Sequence, residues 1–261
     1  MLFSEDAFEG KHIVITGASR GIGRATAIHA VASGAMVTLT GRNEEKLQET
    51  KEACNSDEKV QVVAADINNE DDRQELVRKA EKFAPVTGLV NSAGILNTGY
   101  FDQISEKELR EVMEVNYFST AFLTQLFYSE MKERKEGSIV NVSSLSGLRG
   151  TDGMMAYTAS KFAITGFTQT LALEAIRSNI HVNAVSPGFV DTEMGRHSIQ
   201  SKADREGRTF EEQWEIAEKT NPSGRITTPE EVARAILFLL SDASENIVGE
   251  SMKISGGSVM R

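Results

Sequence analysis

The stretch His12-Ile13-Val14-Ile15-Thr16-Gly17-Ala18-Ser19-Arg20-Gly21-Ile22-Gly23-Arg24-Ala25-Thr26-Ala27 runs from a β-branched segment through three glycines into a helix-forming one. Its first part is apolar almost throughout, the pattern of a strand buried on both faces. Gly17 permits a tight turn, Gly21 lets backbone approach a phosphate, and Gly23 lets the helix pack close to the strand, so that the helix N-terminus faces an anion. A glycine-rich turn alone is weak evidence, because glycines also serve packing. Here it lies between a strand and a helix, the setting required of a dinucleotide-binding turn.

Outward from this stretch, short β-branched runs alternate with longer periodic segments. The strand candidates are His12–Thr16, Met36–Thr40, Val60–Ala64, Gly88–Asn91, Ser138–Ser143, His181–Val185 and Ser251–Ile254. Between them the pattern predicts helices over Gly21–Ser33, Glu44–Ala53, Glu70–Phe83, Lys107–Arg134, Ala156–Arg177, Phe210–Lys219 and Pro229–Leu240. Thr228 reads as the N-cap of the last, with a proline and acids in its first turn. Alternating β and α elements specify an α/β fold: a Rossmann-like, doubly wound parallel sheet of about seven strands, with helices on both faces and right-handed crossovers. In such sheets ligands bind beyond the carboxyl ends of the strands.

The chain has 261 residues and only four prolines, and no stretch of it reads as a linker, so residues 1–261 are expected to form a single domain. The longest apolar run, Ala235–Leu240, is too short to span a bilayer. The segment Met1–Gly10 carries acids where a signal peptide would carry positive charge, which makes the cytoplasm the expected location. A net charge of −10 repels nucleic acid and anionic membrane alike, so neither is expected as a partner, and an anion must be held locally. The four histidines lack ligand spacing and Cys54 is the sole cysteine, so no metal site and no disulfide are expected.

Tyr157 and Lys161 stand four residues apart, and Ser144 lies thirteen residues before the tyrosine. On a helix, positions i and i+4 share a face, so phenol and ammonium point the same way. A fixed cation favours the phenolate, and the pair reads as a tunable proton donor and acceptor. An isolated Y-x-x-x-K is usually a solvated pair on an ordinary helix, and only its company makes it informative.

That company is the spacing G-x-x-x-G-x-G of the first turn, Asp66-Ile67 after strand three, Asn91-Ser92-Ala93-Gly94 after strand four, Val115-Asn116, and Asn183 to Thr192 around Pro187-Gly188. Together with Ser144, Tyr157 and Lys161, these motifs resemble the short-chain dehydrogenase/reductase family, from Gly10 to Gly257. Ser92 departs from the pattern, since family members often carry a second Asn there. The resemblance implies that Tyr157 exchanges a proton with the substrate oxygen while hydride passes between nicotinamide and carbon. Lys161 would lower the tyrosine pKa and hold the nicotinamide ribose, and Ser144 would hydrogen-bond the substrate oxygen. Asn116 would hold a water that links the lysine to solvent. Ser144 could instead cap a turn, and Asn116 could be a satisfied polar residue interrupting a helix.

The same resemblance places Gly17, Ser19, Arg20, Gly21, Ile22 and Gly23 at the cofactor's phosphates. It sets Asp66 and Ile67 at the adenine, with Asn91, Ala93 and Gly94 beside them, and Pro187, Gly188, Val190 and Thr192 around the nicotinamide and pyrophosphate. Asp66 could equally cap the helix start at Asn68-Asn69-Glu70. At the tip of the second strand, Thr40-Gly41-Arg42-Asn43 offers no carboxylate for a ribose diol. Arg42 suits a 2′-phosphate instead, with Arg20 as a second cation, so NADP(H) is the expected cofactor. The competing reading pairs Arg42 with Glu44 or Glu45.

Residues 193–221 are polar, and the resemblance makes them a segment covering the substrate. Met154, Met155 and Phe189 could line an apolar pocket. A ketone reductase of 3-oxoacyl-thioester type is the leading expectation. A sugar, hydroxy-acid or polycyclic alcohol dehydrogenase is the alternative, and a non-catalytic nucleotide-sensing protein is the alternative from another class. The family also implies a homotetramer built through the helices at Lys107–Arg134 and Ala156–Arg177 and the C-terminal strand, with Phe118, Phe122 and Leu126 as an apolar face.

Overall fold

The computed structural model describes residues 3–260, so Met1 and Leu2 of the acidic N-terminal segment lie outside the described residues. The chain order begins β1 (His12–Thr16), α1 (Gly21–Ala32), β2 (Met36–Gly41), α2 (Glu44–Ala53), β3 (Val60–Ala64), α3 (Glu70–Phe83) and β4 (Gly88–Asn91). It continues with α4 (Glu106–Met113), a π-helical turn (Glu114–Phe118), α5 (Ser119–Arg134), β5 (Gly137–Val142), α6 (Met155–Ala175) and β6 (Ile180–Pro187). The last elements are α7 (Glu193–Glu206), α8 (Phe210–Thr220), α9 (Pro229–Leu240) and β7 (Ser251–Ile254). All seven strands join one parallel sheet in the order β3-β2-β1-β4-β5-β6-β7, as the alternation predicts.

Period-two alternation divides the sheet's side chains between two cores. Ile13, Ile15, Val37 and Leu39 face α1, α2 and α9, whereas Val14, Leu89, Ile139 and Val182 face α3, α5 and α6. Both sets are close to fully buried, and a buried Ile, Leu or Val contributes about 1.5–3 kcal/mol relative to its exposed state. The strands are therefore fixed in register by burial on both faces. Among the described residues, no helix is long and apolar enough to cross a membrane.

Two helical segments differ from the sequence pattern by more than a residue or two at their ends. The predicted single helix Lys107–Arg134 starts one residue earlier, where Ser105 and Glu108 form a reciprocal cap, and it is interrupted by the π-turn. The interruption is tertiary in origin. Within that turn Asn116 bonds the backbone of Ile95 and the hydroxyl of Ser160, contacts that pull the ladder out of α register. The second difference is α7, which the sequence pattern does not predict. It starts on Thr192, whose hydroxyl accepts from Gly195 N at 3.1 Å, and it ends on the left-handed Gly207. By contrast α9 has the predicted bounds and its predicted Thr228 cap, completed by Glu231.

The winding places the site. From β1 the chain proceeds to β2 and β3 on one side, and then β4 pairs with the opposite edge of β1. The turns after β1 and β4 therefore diverge and leave a crevice at the carboxyl end of the sheet.

Candidate active site

Thr16 sits at the bottom of this crevice and ties its two walls together. Its hydroxyl accepts from the backbone N–H of Ser92 and of Ala93, both at 3.0 Å. Gly17 follows with φ +65°, and a Cβ there would lie 2.9 Å from Ala93 Cα, so only glycine lets the two turns meet. Gly21 is also left-handed, with φ +56°, and opens α1 beside the methyl of Thr192. Gly23 does not line the cleft. A Cβ on it would fall 2.4 Å from Gly17 O, so its glycine allows close helix packing, as the sequence suggests.

The cleft encloses about 400 Å³ and extends from this turn to helices α7 and α8. Gly17, Ser19, Arg20, Gly21 and Ile22 line one end of it together with Arg42, Asp66, Ile67, Ala93 and Gly94. Ser144, Tyr157, Lys161, Pro187, Gly188, Val190 and Thr192 line it further along. Met154 and Phe189 also face it.

Asn91 does not reach the cleft. It is 4% exposed and lies within the sheet, where its amide donates to Thr124 Oγ1 and Asn141 Oδ1 at 2.9 and 2.8 Å. It supports the turn from behind because its strand position points the side chain toward α5. Asn116 also stands behind the wall. Its carbonyl oxygen accepts from Ile95 N at 2.8 Å, and its amide donates to Ile95 O and Ser160 Oγ. It thereby joins the loop after β4 to the helix that carries Tyr157.

The end of the cleft at Arg42 and Asp66 has its own geometry. Asp66 accepts from Asn68 N in a local turn, and the cap of α3 is Asn69 rather than Asp66. Arg42 is exposed and makes no ion pair among the described residues, so the pairing with Glu44 or Glu45 is not seen. Arg20 does pair, with Glu193 of α7 at 2.5 Å. Both partners are well exposed, so this bridge contributes at most ~1 kcal/mol and yields readily to a stronger anion. Thr40 Oγ1, at the end of β2, is buried without a partner among the described residues.

At the other end α6 presents Tyr157 and Lys161 on one face. Lys161 is 6% exposed, donates to Val142 O at 2.8 Å, and lies 5.6 Å from the centre of the tyrosine ring. Burial lowers its pKa to about 8. Tyr157 differs from expectation: burial raises its pKa, and the opposing effect comes from the Ser144 hydroxyl rather than from Lys161. The alternative reading of Ser144 as a turn cap is seen, since its oxygen accepts from Ser146 N at 3.1 Å. At neutral pH the phenol is therefore protonated and the lysine stands within reach of titration.

The segment 193–221 is mostly helical. Arg205 of α7 stacks over Tyr100 at 5.9 Å and packs against Gly153, so α7 leans on the loops that rim the cleft. Arg196 pairs with Asp191 at 2.7 Å and covers Trp214. The side chains that α7 and α8 turn inward, Ser198 and Gln213 among them, are absent from the sequence-based set. The faint signal for α7 was its boundaries, Thr192 and Gly207, rather than any apolar period.

A family profile described as short chain dehydrogenase matches residues 11–203. A 3-oxoacyl-[acyl-carrier-protein] reductase of Thermotoga maritima is 37% identical, over 97% of this chain and 99% of its own length. An acetoacetyl-CoA reductase of an Acinetobacter species is 33% identical, over 97% and 99%. Among solved structures, a variant of actinorhodin polyketide ketoreductase with NADPH superposes with a TM-score of 0.92 at 30% identity, covering 98% of each chain. The glycine turn at the β1/β4 crevice, the Tyr157–Lys161 face and these matches along nearly the whole chain have one reading: the protein belongs to the short-chain dehydrogenase family.

Proposed function

We propose that the protein is an NADP(H)-dependent ketone reductase whose substrate is a 3-oxoacyl thioester. The observation that carries the reading is the convergence of Ser144, Tyr157 and Lys161 on one cleft that also contains the glycine turn. The residues fit the dinucleotide. The turn admits no Cβ at Gly17, Gly21 holds a conformation that favours glycine, and Arg42 makes no ion pair among the described residues in a chain of net charge −10. Gly17, Ser19, Arg20, Gly21 and Ile22 would hold the diphosphate and Arg42 the 2′-phosphate. Asp66, Ile67, Ala93 and Gly94 would flank the adenosine half, and Pro187, Gly188, Val190 and Thr192 the nicotinamide half. When bound, the cofactor supplies the hydride.

The chain's own residues supply the rest. Ser144 orients the carbonyl oxygen, and Tyr157 gives it a proton. The phenol is protonated at neutral pH, the form that giving a proton to the carbonyl oxygen requires. Lys161 holds ribose hydroxyls and can return a proton to the phenolate, because its pKa near 8 makes that transfer cheap. Asn116 keeps the loop after β4 and α6 in fixed relation. Helices α7 and α8 cover the substrate.

The names of the relatives favour a 3-oxoacyl thioester over a sugar or a cyclic alcohol. In an NADPH-oxidation panel of acyl thioesters, sugars, quinones and cyclic ketones, the highest kcat/KM is expected for a short 3-oxoacyl thioester. A higher value for a sugar or a cyclic ketone would replace the substrate reading, and no oxidation with any of them would favour a nucleotide sensor.

The assembly belongs to the same proposal. Phe118, Phe122 and Phe162 are 40–46% exposed and Leu173 is 68% exposed on the helices α5 and α6 and the turn before them, an apolar surface that suits contact with other copies. Leu126 is half-buried. β7 forms an edge of the sheet. Light scattering is expected to give four times the 28.5 kDa chain mass; a monomer would contradict the homotetramer.

A further inference from the structure

Ser198 is 5% exposed, yet its hydroxyl has no hydrogen-bond partner among the described residues, and the residue lines the cleft. This is unusual for a serine inside a helix, which ordinarily bonds the carbonyl four residues back. Ser119, Ser129 and Thr26 of this chain do so, at 2.7–3.0 Å. On the next helix, α8, Gln213 is 3% exposed and also lines the cleft. The Arg208 guanidinium donates to Gln213 Oε1 at 3.0 Å, which fixes the carbonyl end and leaves the amide N–H₂ free to donate. A buried hydroxyl without a partner is costly, so its persistence in a cleft that Gln213 also lines calls for an explanation in binding.

We propose that Ser198 and Gln213 form a specificity site for a secondary amide carried by the substrate away from its reacting carbonyl, such as the amide of a cysteamine-type thioester arm. This rests on the reductase reading and deepens it. The amide oxygen accepts from Gln213 Nε2, and the Ser198 hydroxyl, which both donates and accepts, bonds the same group. A neutral ligand fits better than an anion. On α7 the cleft-lining cation Lys202 lies 3.8 Å from Glu206, and Arg208 is already engaged by Glu206 and Gln213.

The test compares two thioesters that differ in the amide: the N-acetylcysteamine thioester and the S-ethyl thioester of 3-oxobutanoate. Ser198→Ala is expected to lower the ratio of their kcat/KM values about fivefold, through KM of the amide-bearing one, in line with the loss of one neutral hydrogen bond. Gln213→Leu should act in the same direction, and Ser198→Thr, which keeps the hydroxyl, should restore the ratio. Equal effects on both thioesters would overturn the site. Calorimetric binding of the 3-hydroxybutanoyl N-acetylcysteamine thioester separates this claim from the reductase reading. If neither ketone is turned over but Ser198→Ala still weakens that binding, the amide site stands without the reaction. Binding indifferent to Ser198 overturns the site whatever the turnover.

Discussion

Tyr157→Phe is expected to lower turnover about 100-fold or more, the range of a positioned general acid, while NADPH binding changes little. The substitution deletes one oxygen and keeps the ring, so the packing of α6 and the Lys161 contact over the ring face survive. What disappears is the only phenol among the residues lining the cleft, the one that Ser144 faces. The Ser144 hydroxyl, still held by Ser146 N, cannot take over the acid role, because its own proton is far less acidic. The loss should lie in kcat rather than KM, since the proton moves only as the carbonyl oxygen gains charge.

Arg42→Asp is expected to change the NADP(H)-to-NAD(H) ratio of kcat/KM by about 100-fold toward NAD(H). Two effects add. A charge-assisted contact to the 2′-phosphate is lost, and a carboxylate now repels that phosphate while suiting a free ribose diol. Arg42 is exposed at the end of β2 and unpaired among the described residues, so replacing it disturbs no ion pair in the fold. Arg20 serves as the internal contrast. It already pairs with Glu193, so Arg20→Ala should have a smaller effect on the ratio. An unchanged ratio for Arg42→Asp would remove the residue from cofactor selection.

These expectations show where the sequence was readable. The alternation of buried strands and amphipathic helices is a local, periodic signal, and it predicted α3, α9, β1, β3, β4 and β7 with the bounds observed. The glycines of the first turn were readable because backbone constraint is chemical identity: no other residue meets Ala93 at Gly17 without collision. The π-turn was not readable, because it is caused by Asn116 reaching residues 21 and 44 positions away. Asn91 shows the same limit. Its motif marks the right strand end, but the parity of β4 turns its side chain into the core rather than the cleft. Helix α7 was missed because its apolar positions are few and Gly195 weakens its first turn. The sign of the tyrosine shift departs from the sequence expectation for a further reason. Four-residue spacing tells that the cation is near, but burial depends on everything packed around the pair, and here burial prevails.

The segment 193–221 carries the least readable part of the proposed site. Polar composition between Glu193 and Asn221 suggests a solvated face, and Arg196 and Glu211 do face solvent. Ser198 and Gln213 lie in the same stretch and point inward. Helical phase separates the two groups, and for Ser198 that phase depends on α7, which the sequence pattern does not predict.

The account depends on Tyr157 acting as proton donor to a carbonyl held beside the nicotinamide. Single-turnover mixing of NADPH-loaded protein with a 3-oxoacyl thioester, followed by nicotinamide absorbance, isolates that step from product release. The account predicts fast loss of absorbance for the unmodified chain. For Tyr157→Phe loaded to the same extent, it predicts a decay slower by about 100-fold or more. Equal decay rates in the two proteins would contradict it.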